Sequence, residues 1–179
     1  MSLPHALLTS LSECSGAGSE LARRFDRSIG HFWHATHQQI YRELRRLESA
    51  GLIESLPPES GRGRRRVYRI KPAGRRELRR WLGSAAEPMP LRHEMMLRLR
   101  AEAVVGPTAL DAQIRRQLAH HQRMRDAYLA IEARDFGQPD ADRTQAIQHL
   151  ILSAGIEMER FWIDTYRKAL ELMARTETP

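Results

Sequence analysis

The chain has 179 residues, 41% of them hydrophobic and 28% charged, which suits one large or two small domains with a true core and excludes a wholly disordered state. A single cysteine, Cys14, excludes an internal disulfide and a CxxC zinc or redox pair, and no apolar run approaches the roughly 20 residues that span a bilayer. With no basic, cleavable leader either, a soluble cytoplasmic chain without a membrane partner is expected, and the excess of 29 Lys+Arg over 22 Asp+Glu needs an explanation.

Leu3, Ala6, Leu7, Ser10 and Leu11 repeat at helical spacing and stop at Ser15-Gly16-Ala17-Gly18, which predicts a first helix over about residues 3 to 13. A short second helix starts at Gly18 or Ser19, turns Leu21, Ala22 and Phe25 inward, and ends near Ser28 or Gly30. After the aromatic link Phe32-Trp33-His34-Ala35, the run Thr36-His37-Gln38-Gln39 fits a capping box. A third helix follows, with Ile40, Leu44 and Leu47 as its buried stripe, and Ala50-Gly51 closes it with glycine in the left-handed position. Leu52–Leu56 and Arg66–Ile70 then alternate as strands around a Pro-, Gly-, Ser- and Arg-rich stretch, a hairpin with a basic tip. Pro72 opens a fourth helix that faces Ala73, Leu78, Trp81 and Leu82 inward before Gly83-Ser84-Ala85-Ala86 breaks the pattern.

Splitting the chain there assigns the charge. Residues 1–86 carry sixteen Lys/Arg and eight Asp/Glu, net +8, whereas residues 87–179 carry thirteen and fourteen, net −1. The element order of the first part, three helices, a basic hairpin and a fourth helix, is that of a winged helix-turn-helix. A helix about 10–12 Å across fits the major groove of B-DNA. On the third helix the outer face would hold His37, Gln38, Tyr41, Arg42 and Arg45: Gln suits adenine edges, Arg guanine edges or phosphates, and His and Tyr phosphate oxygens. The hairpin tip Gly61-Arg62-Gly63-Arg64-Arg65-Arg66 would lie along phosphates or enter the minor groove.

The run from Phe32 to Leu44, the segment Leu47-Glu48-Ser49-Ala50-Gly51-Leu52-Ile53-Glu54, the stretch Gly63-Arg64-Arg65-Arg66-Val67-Tyr68 and the spacing through Gly74, Leu78 and Trp81-Leu82 resemble the PadR family of transcriptional regulators. A helical second half is similar to the family's longer members. The resemblance implies a dimeric winged-helix repressor whose second half supplies dimer contacts and, in ligand-responsive members, part of an effector site. One departure is Lys71-Pro72, where the family often has threonine before the fourth helix, so that cap is expected to be weaker.

Residues 87–179 read as helical on their own pattern. Leu91, Met95, Met96 and Leu99 make a short helix, Thr108 caps a longer one carrying Leu110, Ile114, Leu118, Met124 and Tyr128, and Gly137 and Pro139 precede the last and longest. There Ile147, Ile151, Ala154, Met158, Phe161, Thr165, Ala169 and Leu172 step by 4, 3, 4, 3, 4, 4 and 3, close to a heptad seam. Leu150, Trp162, Tyr166 and Met173 widen the apolar face beyond what one neighbouring helix needs, so a homodimer is expected, the alternative being a bundle that buries the seam within one chain. The expected architecture is mostly α: a DNA-binding domain over residues 1–86 and a helical dimerisation domain over 87–179.

A dimer would read half-sites about 34 Å apart, hence a near-palindromic duplex operator. A small aromatic effector that ordered Phe32-Trp33-His34 would move the third helix, with Met95, Met96 and Trp162 as an apolar wall, although ordinary packing explains these residues equally. His31, His34 and His37 diverge by about 120° on a helix, so no metal is expected, and no cofactor motif occurs. His120, His121 and His149 are expected to be exposed. Glu157 and Glu159 point to different sides of their helix, and no catalytic triad or phosphate loop appears, so no enzymatic activity is expected. A basic face for RNA or an acidic protein, and a ligand-binding helical protein with an incidental basic domain, remain as alternatives.

Overall fold

The structure, a computed structural model, describes residues 3–27, 35–56, 66–85, 92–138 and 142–175. The chain divides into two compact units, Met1–Pro88 and Met89–Pro179. Among the described residues, no helix is long and apolar enough to cross a membrane.

The first unit runs α1 (Leu3–Glu13), β1 (Gly16–Ala17), α2 (Gly18–Arg27), α3 (His37–Ser49), β2 (Ile53–Leu56), β3 (Val67–Ile70) and α4 (Pro72–Leu82). Its core is formed by the inward stripes of the first three helices, Leu7, Leu8 and Leu11, then Leu21, Ala22 and Phe25, then Ile40, Leu44 and Leu47, closed by Ile53, Tyr68 and Ile70 from the sheet. Each buried Leu, Ile or Phe here contributes roughly 1.5–3 kcal/mol by leaving water. The sheet has the order β1-β3-β2, all antiparallel, with Ile53 opposite Ile70 and Leu56 opposite Val67. Strand β1 lies in the Gly-rich break that the pattern assigned to a turn. Two residues carry no periodicity, so only the pairing of Gly16 with Tyr68 and Ala17 with Val67 reveals it.

Helix α4 is clasped to α1 through two side chains. His5 stacks on Trp81 with ring centroids 4.5 Å apart, and His5 Nε2 lies 3.2 Å from Glu77 Oε1. Hydrogen bonds from Arg80 and then His5 hold the Glu77 carboxyl down at about 2. Leu82, expected inward, is 70% exposed, because the clasp turns α4 on the Gly74, Leu78 and Trp81 side and leaves the last residue of the helix beyond it. Lys71 sits at the N-cap with no side-chain hydrogen bond to the helix, as the lysine at that position suggests.

The second unit consists of α5 (Glu94–Val105), α6 (Leu110–Asp135) and α7 (Arg143–Arg175). Met95, Leu110, Ile114, Trp162, Tyr166 and Ala169 form its core, with Met96, Leu99, Leu118 and Met173 packed against them. Thr108 is not the cap of α6. Ala109 occupies that position, and Thr108 instead donates from its backbone N–H to Glu102 Oε1 at 2.7 Å and from its hydroxyl to Glu102 Oε2, tying the loop back to α5. Nor are His121 and His149 simply exposed. His121 Nδ1 meets Glu159 Oε2 at 2.5 Å, and His149 Nε2 meets Glu132 Oε1 at 3.2 Å while its ring stacks on Phe136, so both pin α6 to α7. Their partners lie 38 and 17 residues away, beyond any local pattern.

Candidate nucleic-acid interface

Helix α3 begins with a complete capping box. The Thr36 hydroxyl accepts from Gln39 N–H at 3.2 Å, while Gln39 Oε1 accepts from Thr36 N–H at 2.8 Å. Two amides that the helix itself leaves unbonded are thereby satisfied, and the first turn is fixed. At the other end Gly51 takes φ +69°, a left-handed conformation that favours glycine, so the chain reverses directly into β2.

With Ile40, Leu44 and Leu47 buried, the opposite side of α3 faces outward. His37, Gln38, Tyr41, Arg42 and Arg45 all lie on that exposed side, as the spacing predicts. Neither Arg42 nor Arg45 makes an ion pair among the described residues, so both guanidinium groups are available to an external anion. By contrast Arg46 is drawn to Glu43 at 3.4 Å, and Arg69 makes a two-pronged contact with Glu54, its cross-strand neighbour, at 2.7 and 3.0 Å. Arg66 is exposed and tethered 3.5 Å from Glu48 on α3, whose other oxygen accepts from Ser55 N–H. Arg62, Arg64 and Arg65 lie outside the described residues, as do Phe32, Trp33 and His34.

Pattern reading missed one part of this face. Gly18 and Ser19 at the start of α2, Tyr41 and Arg45 on α3, and Arg66 and Tyr68 at β3 surround a cleft of about 320 Å³. The alternation of β3 marks Tyr68 as a core position, and so it is; only the pairing of β1 with β3 brings the start of α2 beside it.

In the helical unit, the outer seam of α7 is uncovered in the single chain: Ile151 is 46% exposed, Met158 56% and Phe161 57%, with Ile147, Leu150, Ala154 and Leu172 exposed as well. Thr165 is half-buried and Ala169 is buried. The opposite side of α7 packs inward through Ile156, Trp162, Ile163, Tyr166 and Ala169. Met95 and Trp162 belong to the core of this unit and Met96 packs against it, which accounts for their apolar character locally. Trp162 stacks on His93 with centroids 3.9 Å apart. Among the described residues His93 Nδ1 is buried without a partner, and burial, reinforced by the nearby charge of His121, pushes its pKa below the ordinary 6.5. Glu157 turns outward to Arg160, whereas Glu159 turns inward to His121.

The comparisons agree with this architecture along nearly the whole chain. Residues 7–80 match the family model described as the transcriptional regulator PadR-like family, and residues 91–174 match that of the virulence activator alpha C-terminal region. The probable transcriptional regulator Rv1176c of Mycobacterium tuberculosis is 39% identical over 186 residues, covering 96% of this chain and 98% of the relative. Among solved structures, the Vibrio cholerae virulence activator AphA superposes with a TM-score of 0.83 at 29% identity over 98% of this chain and 99% of that one. Bacillus subtilis PadR bound to operator DNA superposes with a TM-score of 0.79 at 22% identity, over 96% and 98% of the two chains, and the same protein has been solved with p-coumaric acid. A winged helix, a helical C-terminal region and a relative of this identity over almost its full length together place the chain: it belongs to the PadR-like family of transcriptional regulators.

Proposed function

We propose that the chain is a homodimeric, sequence-specific DNA-binding repressor that occupies a near-palindromic operator and is released by a small aromatic effector. The observation that carries the reading is the outward face of α3, where Gln38, Tyr41, Arg42 and Arg45 are exposed opposite a fully buried stripe on a helix whose first turn is capped without them. Such a helix is free to enter a major groove, and its side chains are of the types that read base edges and hold phosphates. The net +8 of residues 1–86 supplies the attraction to a polyanion, with Arg62, Arg64, Arg65 and Arg66 assigned to the phosphates or minor groove beside the wing.

The uncovered apolar seam of α7 supports pairing through Ile147, Ile151, Ala154, Met158, Phe161 and Thr165 with the same residues of a second copy. The effector class is supported by Phe32, Trp33 and His34 next to α3 in sequence and by the structure of Bacillus subtilis PadR in complex with p-coumaric acid. Repression is the simplest outcome of a dimer seated on a promoter. The likeness to a protein described as a virulence activator favours a second reading, activation, which depends on where the operator lies.

Fluorescence anisotropy with duplexes drawn from the region upstream of the protein's own gene, competed by RNA of the same sequence, tests the reading. Saturable binding to an inverted repeat that RNA does not displace, with release on adding phenolic acids, is the expected result. Equal binding to RNA would favour the broader polyanion alternative. Ligand binding that leaves DNA affinity untouched would remove the effector from the mechanism.

A further inference from the structure

The cleft between the start of α2 and the sheet has a chemistry of its own, and the inference from it rests on the DNA-binding reading above. We propose that it is a phosphate site: it takes one backbone phosphate of the bound duplex and thereby sets how deeply and at what register α3 enters the groove.

Three groups of observations converge there. Helix α2 is ten residues long, and its first amides, at Gly18 and Ser19 on the cleft wall, have no acceptor within the helix and carry its positive pole. Tyr68 lines the same cleft at only 6% exposure, yet its hydroxyl has no hydrogen-bond partner among the described residues. The ring is held in the core while the oxygen is not shut off from solvent, so the donor is open to an acceptor from outside. Arg45 and Arg66 complete the positive lining, Arg45 without an ion pair among the described residues and Arg66 held in place by Glu48. The one acidic residue in the first turn of α2, Glu20, accepts from Ala17 N–H at 3.0 Å and does not line the cleft.

Gly18 keeps the site open. A Cβ there would lie 2.7 Å from Tyr41 Cε1, closer than such atoms approach, so only glycine lets the Tyr41 ring rest over the helix start. Gly18 is thus a positioning residue for Tyr41. Because β1 ties the start of α2 to β3, and Tyr41 and Arg45 belong to α3, an anion seated here bonds to three elements at once and fixes the recognition helix relative to the phosphate backbone.

The test uses the full chain and a duplex operator selected from random sequences, scanned with single neutral methylphosphonate linkages. Tyr68→Phe keeps the ring in the core and removes only the hydroxyl; its thermal midpoint is measured alongside to establish that the fold is retained. The expected result is about a tenfold loss of affinity for operator and unrelated duplex alike. One methylphosphonate position should weaken the unsubstituted protein while weakening Tyr68→Phe no further. Gly18→Ala, which displaces Tyr41, should lose operator affinity and sequence preference together. Tyr68→Phe binding with unchanged affinity, or equal sensitivity of both proteins to every methylphosphonate, overturns the proposal while leaving the DNA reading intact. If inorganic phosphate at matched ionic strength raises the thermal midpoint of the protein but not of Tyr68→Phe, while operator affinity is the same for both, the cleft holds a free phosphate and the duplex assignment is wrong. Failure of the unsubstituted chain to bind any duplex overturns both readings.

Discussion

A Cβ built on Gly74 would lie 2.3 Å from the carbonyl oxygen of Leu52, the same oxygen that accepts from Lys71 N–H at 3.0 Å. Helix α4 therefore packs its backbone against the entry to the wing with no room for a side chain. In an open helix, replacing glycine by alanine gains about 1 kcal/mol. Here the contact is with backbone, which cannot swing aside, so Gly74→Ala is expected to destabilise the protein by about 1–3 kcal/mol. Gly83→Ala, whose Cβ would meet only ordinary contacts at 3.7 Å, should not. Urea denaturation of both variants checks this, and equal midpoints would contradict it.

The N-cap of α4 offers the opposite change. Lys71 has the extended conformation of a cap, φ −91° and ψ 163°, but no side-chain acceptor for the first amides. Lys71→Thr should stabilise by about 1 kcal/mol. A thermal midpoint that does not rise would mean that water already serves those amides as well.

The neighbouring glutamines of α3 should separate cleanly. Gln39→Ala removes half of the capping box and is expected to cost about 0.3–1.5 kcal/mol of stability. Gln38→Ala should leave the denaturation curve unchanged and relax the choice of operator sequence, measured by competition with singly mutated duplexes. With about five phosphates neutralised per half-site, log affinity should fall against log salt with a slope near −9. A binding curve insensitive to salt would rule out the electrostatic part.

Charges on the α7 seam should separate the dimer. Ile151→Glu combined with Met158→Glu places carboxylates on a side that is already exposed in the single chain, so helix content should hold while sedimentation reports a monomer with weakened operator binding. A dimer that persists would move the interface elsewhere.

Stability should depend on pH through His93. Its folded pKa lies below 6.5, so on acidification the unfolded chain takes up the proton first. Stability is then unaffected by this group above pH 6.5 and declines as pH falls below it. His93→Phe keeps a ring against Trp162 and removes the titration; its urea midpoint should change less between about pH 7.5 and 5 than that of the unsubstituted protein. Parallel declines would clear His93.

Much of this was legible because local rules and tertiary packing agree. Thr36 and Gln39 announce the start of α3, Gly51 its end, and the spacing of Ile40, Leu44 and Leu47 its buried side, so the outward residues follow by subtraction. What escaped notice depends on partners distant in sequence. Strand β1 is defined by residues some fifty positions away, Thr108 serves Glu102 rather than α6, and His121 meets Glu159 across two helices. Leu82 fits a helical stripe but sits one position past the contact that ends it. The second unit was legible as helices, and its seam as a periodicity, because Ile151, Met158 and Phe161 repeat on a side distinct from the one that fills the core.

Thr36 and Gln39 begin α3 by themselves, so Gln38 and Arg42 carry no share of holding the helix together. Either can be exchanged without passing through a poorly folded intermediate. A duplicated copy of such a protein could drift toward new promoters one substitution at a time, its scaffold indifferent to the change of address.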